Sequence, residues 1–164
     1  MGDPLLSAEE LCDPDAEREE QFVDAFETLA RAIRRARGAL NTGSGESLTL
    51  SQYGLLLPLG GRSQARTGEL AEAAGITAST ATRILDALER RGLVVRLQAT
   101  DDRRAVAVML TARGRALLAR HREWVRERQR DLYCELEPDE REVAPALLRK
   151  LGALIDELAA GPDR

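Results

Sequence analysis

Ser79, Thr80, Thr82 and Arg83 crowd three hydroxyls and one guanidinium into five residues of the stretch TASTATRILDALERRG. Such groups donate hydrogen bonds to base edges and phosphate oxygens, so this cluster on an exposed helix face suits the major groove of DNA. It follows Thr77, a type that caps helix N-termini, where the positive end of the helix dipole also favours phosphate. A second basic group, Arg103-Arg104 behind Asp102, sits in the polar run ATDDRR. An arginine on a projecting turn is drawn into a narrow minor groove, where negative potential concentrates. Between Arg62 and Arg104 eight arginines face six acids, while the whole chain carries a net charge of −4. Positive charge is thus gathered mid-chain and the remainder repels phosphate. Because 23 of the 24 cations are arginine, the pattern carries more weight than any single arginine. A plain helical hairpin and a solvated turn are the alternatives for the two groups.

The elements that would position these groups are legible. TGELAEAAGITASTATRILDALERRG reads as two helices around Gly75, a helix-turn-helix pattern. Thr67 is expected to cap the first, with Glu69 in its first turn and Leu70, Ala71 and Ala74 on its inner face. Thr77 caps the second, whose inner stripe is Ala81, Ile84, Leu85 and Leu88, and Gly92 ends it after Arg90-Arg91. Ile76 is a further inward apolar position. The period then switches to two: Leu93, Val95 and Leu97 alternate with Val94, Arg96 and Gln98, and Val106, Val108 and Leu110 with Ala105, Ala107 and Met109. That predicts a hairpin with ATDDRR at its tip.

On either side lie longer helices. From about Glu17, Phe22, Phe26, Leu29, Ile33 and Leu40 form a single apolar stripe, and Gly38 with NTGSGES ends the helix. A short apolar helix, Leu50 to Leu59, is opened by Thr49 or Ser51 and stopped at Gly60-Gly61. A charged helix runs from Thr111 to about Leu136, and after Pro138 another carries Leu147, Leu151, Leu154 and Leu158. Pro145 is expected to bend that helix or break it near its start. The stripes of the first and last helices must be buried against each other or against a second copy of the chain, and a homodimer is expected. Packing within one monomer is the alternative.

A chain of 164 residues fits one domain and buries about 70% of its unfolded surface without disulfides. With 43% hydrophobic and 32% charged residues it reads as globular, and 3% aromatics argues against stacking platforms for single strands. Cys12 and Cys134 cannot form a disulfide framework, so a reducing, cytoplasmic setting is expected. The acidic N-terminus is no targeting segment, Leu6 stands where myristoylation needs Ser or Thr, and the run Leu55 to Leu59, broken by Pro58, is too short to cross a bilayer. No membrane partner is expected. One histidine and two distant cysteines lack metal-site spacing, and no cofactor is expected. The acids Asp13, Asp15, Glu17, Glu19 and Glu20 read as a solvated helix start, not a catalytic pair. Gly43-Ser44-Gly45 is no nucleotide loop, Ser44 and Ser63 lack a nucleophile elbow, and enzyme chemistry is not expected.

TGELAEAAGITASTATRILDALERRGLVVR followed by TDDRRAVAVMLTARG resembles the winged helix-turn-helix core of the MarR family of bacterial transcriptional regulators. Asp102-Arg103-Arg104, Val106, Val108, Leu110-Thr111 and Gly114 carry the wing part of the likeness, which covers about residues 20 to 160. It implies a mostly α fold with a small β-hairpin wing, and N- and C-terminal dimerisation helices. The acidic, Pro-containing residues 1–17 read as an arm before a single domain over 18–164, in which the likeness implies a DNA-binding lobe at about 48–112 and dimerisation helices at about 18–40 and 112–160. Ser79, Thr80, Thr82 and Arg83 then fall on the recognition helix, Arg103 and Arg104 on the wing, and Asp102 on the acid that holds a wing arginine. The implied partners are a palindromic double-stranded operator, a second copy through Phe22, Phe26, Leu29, Ile33, Leu147, Leu151, Leu154 and Leu158, and a small phenolic or lipophilic anion as effector. Tyr53, Leu57, His121 and Trp124 are candidate effector contacts by position, with core or surface packing as the plainer reading of each. The implied function is a dimeric repressor relieved by a ligand. Two alternatives stand beside it: a winged-helix protein-interaction module with weak DNA contact, and a cysteine-based redox sensor. Acids around Cys12 and Glu135 beside Cys134 disfavour the thiolate that redox sensing needs.

Overall fold

Why the chain turns where it does is clearest at the glycines that follow its third and fourth helices. In the computed structural model, which describes residues 14–38, 47–98 and 106–161, Gly75 and Gly92 adopt φ of 60° and 67°. Side chains other than glycine rarely tolerate that region, and here it closes two helices in the same way. Gly75 N–H donates to Glu72 O and Ile76 N–H to Ala71 O; Gly92 N–H donates to Glu89 O and Leu93 N–H to Leu88 O. The apolar residue after each glycine then turns into the core.

The elements in order are α1 (Pro14–Gly38), α2 (Leu50–Leu56) running into a 3₁₀ turn (Leu57–Gly60), β1 (Ala65–Arg66), α3 (Thr67–Ala73), α4 (Ala78–Arg90), β2 (Val94–Gln98), β3 (Val106–Leu110), α5 (Ala112–Glu135) and α6 (Pro138–Ala160). The fold is mostly helical with one three-stranded antiparallel sheet, order β1-β3-β2. The described residues up to Leu118 form one compact unit and those from Ala119 onward a second. Leu40, Gly43-Ser44-Gly45, Asp102, Arg103 and Arg104, and Leu6, Cys12 and Asp13 lie outside the described residues.

The core of the first unit is aliphatic: Leu55, Leu56, Leu70, Leu85, Leu88, Leu93, Val94 and Val108 are its largest fully buried side chains. Tyr53, Ala74, Ile76 and Ile84 pack against it. Thr49 opens α2 by accepting from Gln52 N–H at 3.2 Å, while the Gln52 side chain accepts from Thr49 N–H at 3.1 Å. The cap of α3 differs from the expectation. Arg66, held extended by its pairing with Ala107, is the flanking residue, and the Glu69 carboxylate accepts its N–H at 3.1 Å; Thr67 is already inside the helix. Strand β1 is too short to show a period in sequence. In β2 the period of two holds, but the larger apolar residues Val95 and Leu97 point outward, 41% and 50% exposed, while Val94 is buried and Arg96 points inward toward α4.

In the second unit Arg141 donates to the carbonyls of Tyr133 at 3.1 Å and Cys134 at 3.0 Å, tying the start of α6 to the end of α5. Helix α6 continues through Pro145, so of the expected bend or break the break does not occur; proline has no N–H to donate to the Arg141 carbonyl.

Helix α5 starts against the end of α4. Thr111 N–H donates to Leu93 O at 3.1 Å, the Thr111 hydroxyl donates to Gly92 O at 2.7 Å and accepts from Gly114 N–H at 3.0 Å. A Cβ built on Gly114 would stand 1.9 Å from Leu93 O, so only glycine lets the helix approach this backbone. Gly114→Ala should therefore cost about 3 kcal/mol of stability and lower Tm by roughly 6–12 °C, read by thermal unfolding; an unchanged Tm would refute the close approach.

Candidate nucleic-acid interface

Helix α4 is the element that presents the hydroxyl and guanidinium cluster. Thr77, extended at its N-cap, accepts from Thr80 N–H at 3.2 Å. Its own hydroxyl donates to Thr80 Oγ1 at 2.9 Å and lies 3.0 Å from Ser79 Oγ. Ala81, Leu85 and Leu88 are buried on the opposite side. Ser79, Thr82 and Arg83 are thereby turned out to solvent on one face, since residues three and four apart are neighbours on a helix. Thr80 is half-buried at the edge of that face. The Thr82 hydroxyl donates to Ala78 O at 2.9 Å, which leaves its lone pairs and methyl group for a ligand.

Three charged residues that sequence reasoning did not single out shape the same face. Arg96 on β2 reaches α4 with Nη1 at 2.5 Å from Asp86 Oδ1 and 3.4 Å from Glu89 Oε2, and Nη2 donates to Thr82 O at 3.1 Å. Its backbone N–H also donates to Glu89 Oε1 at 3.3 Å. The available signal was two acids spaced i, i+3 before the only charged residue among the inward positions of the next strand. The end of α4 is anchored as well: Arg91 donates to Gln52 Oε1 at 3.2 Å and to Ser47 O at 2.8 Å, and Arg113 donates to Arg91 O at 3.1 Å. Burial first, and then the neighbouring Arg113 cation, hold Arg91 below the ordinary arginine pKa.

Of the expected effector contacts, Tyr53 is half-buried against the core and Leu57 is exposed one turn later. In the second unit the rings of His121 and Trp124 lie 5.5 Å apart, tilted by 46°. Burial holds His121 below its usual pKa. Phe22, Leu29, Leu147, Leu154 and Leu158 are exposed on the chain, with Phe22 at 50% and Leu158 at 63%, while Phe26, Ile33 and Leu151 are half-exposed. Cys134 is exposed. Among the described residues no group of histidine, cysteine or acid side chains could hold a metal ion, and no helix is long and apolar enough to cross a membrane.

A family model of the MarR family matches residues 48–106, from two residues before α2 to the first residue of β3. A solved structure of the transcriptional repressor CouR on a 23-mer DNA duplex is 36% identical in sequence, covers 78% of this chain and 89% of its own, and superposes with a TM-score of 0.63. The chain belongs to the MarR family. MarR proteins are transcription regulators and not enzymes. Two more relatives are similar to this chain. BpsR of Bordetella bronchiseptica, whose DNA binding is regulated by 6-hydroxynicotinic acid, is 27% identical over 79% of this chain and 98% of its own, with a TM-score of 0.61. A protein of Thauera aromatica, assigned to the hcr operon as its transcriptional regulator, is 28% identical over 79% of this chain and 72% of its own length.

Thr77→Ala removes the N-cap of α4 and should cost about 1 kcal/mol, measured by denaturant unfolding. A second outcome concerns pH. His121 is less basic in the folded chain than in the unfolded one, so the unfolded state takes up the proton first. Its contribution to stability is therefore full above about pH 6.5 and is lost as pH falls through the lower folded pKa. An NMR titration of the His121 ring with a midpoint at or above 6.5 would contradict that sign.

Proposed function

We propose that this MarR protein is a homodimeric, sequence-specific DNA-binding repressor that reads a palindromic operator and is released by a small phenolic or lipophilic anion. The observation that carries the reading is the solvent-facing row Ser79, Thr82 and Arg83 on a capped helix beside a wing, in a chain 36% identical to a repressor seen on duplex DNA. Ser79 and Thr82 suit phosphate and base-edge contacts, and Arg83 suits the paired acceptors of guanine. Arg103 and Arg104 are assigned to the minor groove beside it, with Asp102 positioning them, where the contact follows groove width rather than base identity.

Dimerisation is supported by the apolar residues left open on α1 and α6, Phe22 and Leu29 on one and Leu147, Leu154 and Leu158 on the other. Open apolar stripes of this size call for a covering partner, and a second copy of the same chain is the commonest one. Two copies then place two recognition helices on half-sites about one helical turn apart. An anionic effector is supported by the regulation of the relative BpsR by 6-hydroxynicotinic acid.

Selection from random duplexes separates the two sets of contacts. Arg83→Ala should change the preferred base at particular positions, whereas Arg104→Ala should weaken binding by a similar factor on all sequences and reduce the salt slope by about two, one for each half-site. Equal loss of sequence preference in both variants would contradict the assignment. Deletion of residues 18–40 should leave monomers or aggregates with little DNA affinity by sedimentation and anisotropy; a soluble, fully active truncation would refute the dimer.

A further inference from the structure

The face of α4 that would meet DNA is not purely cationic. Asp86 lies one turn beyond Thr82 and Arg83, and Glu89 lies a further turn along. Within the helix, Arg83 and Arg90 are cancelled by these two acids, so on its own it would bring no net attraction to the phosphates. The missing charge comes from the wing. The Arg96 guanidinium contacts both carboxylates and the Thr82 carbonyl, and its side chain is only 23% exposed.

We infer that Arg96 is a positioning residue for DNA binding, and that it acts chiefly by charge: it turns Asp86 and Glu89 toward β2 and neutralises them against the approaching phosphates. This rests on the DNA-binding function proposed above. A guanidinium fits the place because its planar fork can serve two carboxylates and a carbonyl together, and it stays protonated throughout the usable pH range. The arrangement makes the strand after the recognition helix part of its electrostatics, although Arg96 itself does not reach the outer face.

The test is fluorescence anisotropy of the full chain on a duplex recovered by selection with the wild-type protein, over a salt series, with thermal unfolding of every variant. In the dimer the substitution removes two positive charges and changes the slope of log K against log salt by about 1.8, so Arg96→Gln should bind roughly 60-fold more weakly at ~0.05 M salt and approach wild type near ~0.5 M. Arg96→Lys should retain most of the affinity. Asp86→Asn with Glu89→Gln, which leaves Arg96 in place, should bind as tightly as wild type or more so, and adding both changes to Arg96→Gln should restore binding. If the acid-free double variant loses affinity as Arg96→Gln does, or if the triple variant is not restored, Arg96 acts by geometry alone and the inference is overturned. Should Arg96→Gln fail to fold, the double variant decides by the same criterion. A wild-type chain that selects no duplex would overturn the proposed function as well, which separates that failure from a failure of the charge role.

Discussion

The placement of α4, the β2-β3 hairpin and α5 depends on how the chain passes through Gly92 and Leu93. Gly92 turns left-handed to end α4, and Leu93 is fully buried beneath it. The Leu93 carbonyl then accepts from Thr111 N–H, and Gly114 packs directly on it. One short stretch of backbone therefore fixes the C-terminus of the helix, the first rung of the hairpin and the first turn of α5. Buried backbone of this kind has few alternatives, because each carbonyl and N–H must keep a partner and the packed leucine leaves no room to shift. Rigidity at this joint gives the exposed residues of α4 a defined position against β2.

Legibility in the sequence followed the strength of local signals. The i, i+3, i+4, i+7 stripe Ala81, Ile84, Leu85 and Leu88, the cap at Thr77 and the glycines at 75 and 92 each act within one or two helical turns, and they predicted α4 and its ends correctly. Nothing local announces β1, which exists only because β3 offers Ala65 and Arg66 a partner. That same pairing moved the cap of α3 from Thr67 to Arg66 and Glu69. The period of β2 was visible, but not which side would be buried. Val95 and Leu97 look like core residues by type, and tertiary packing nevertheless turned Val94 and Arg96 inward. Arg96 escaped notice for a related reason: its role is set by two acids on the preceding helix, a contact between elements that no single-element pattern reports.

Charge and shape are divided between the elements in a way that suits a DNA reader. The outer face of α4 offers short polar groups and Arg83, its inner face is aliphatic, and the acids it carries are turned toward the strand behind it. Short hydroxyl side chains bring the helix backbone close to a partner, while the capped N-terminus adds its own partial positive charge. The long charged helix α5 and the leucine-rich α6 follow different rules, for their open apolar residues call for burial against another surface rather than for base contact. Membership of the MarR family joins these features in one regulator.

The most direct measurement is the anisotropy of a labelled duplex from the region upstream of the protein's own coding sequence, titrated with the full chain across a salt series and with excess unrelated DNA. Tight, saturable binding that survives the competitor and weakens steeply with salt is the expected result. Binding that unrelated DNA abolishes, repeated on duplexes selected from random pools, would contradict a sequence-specific operator reader.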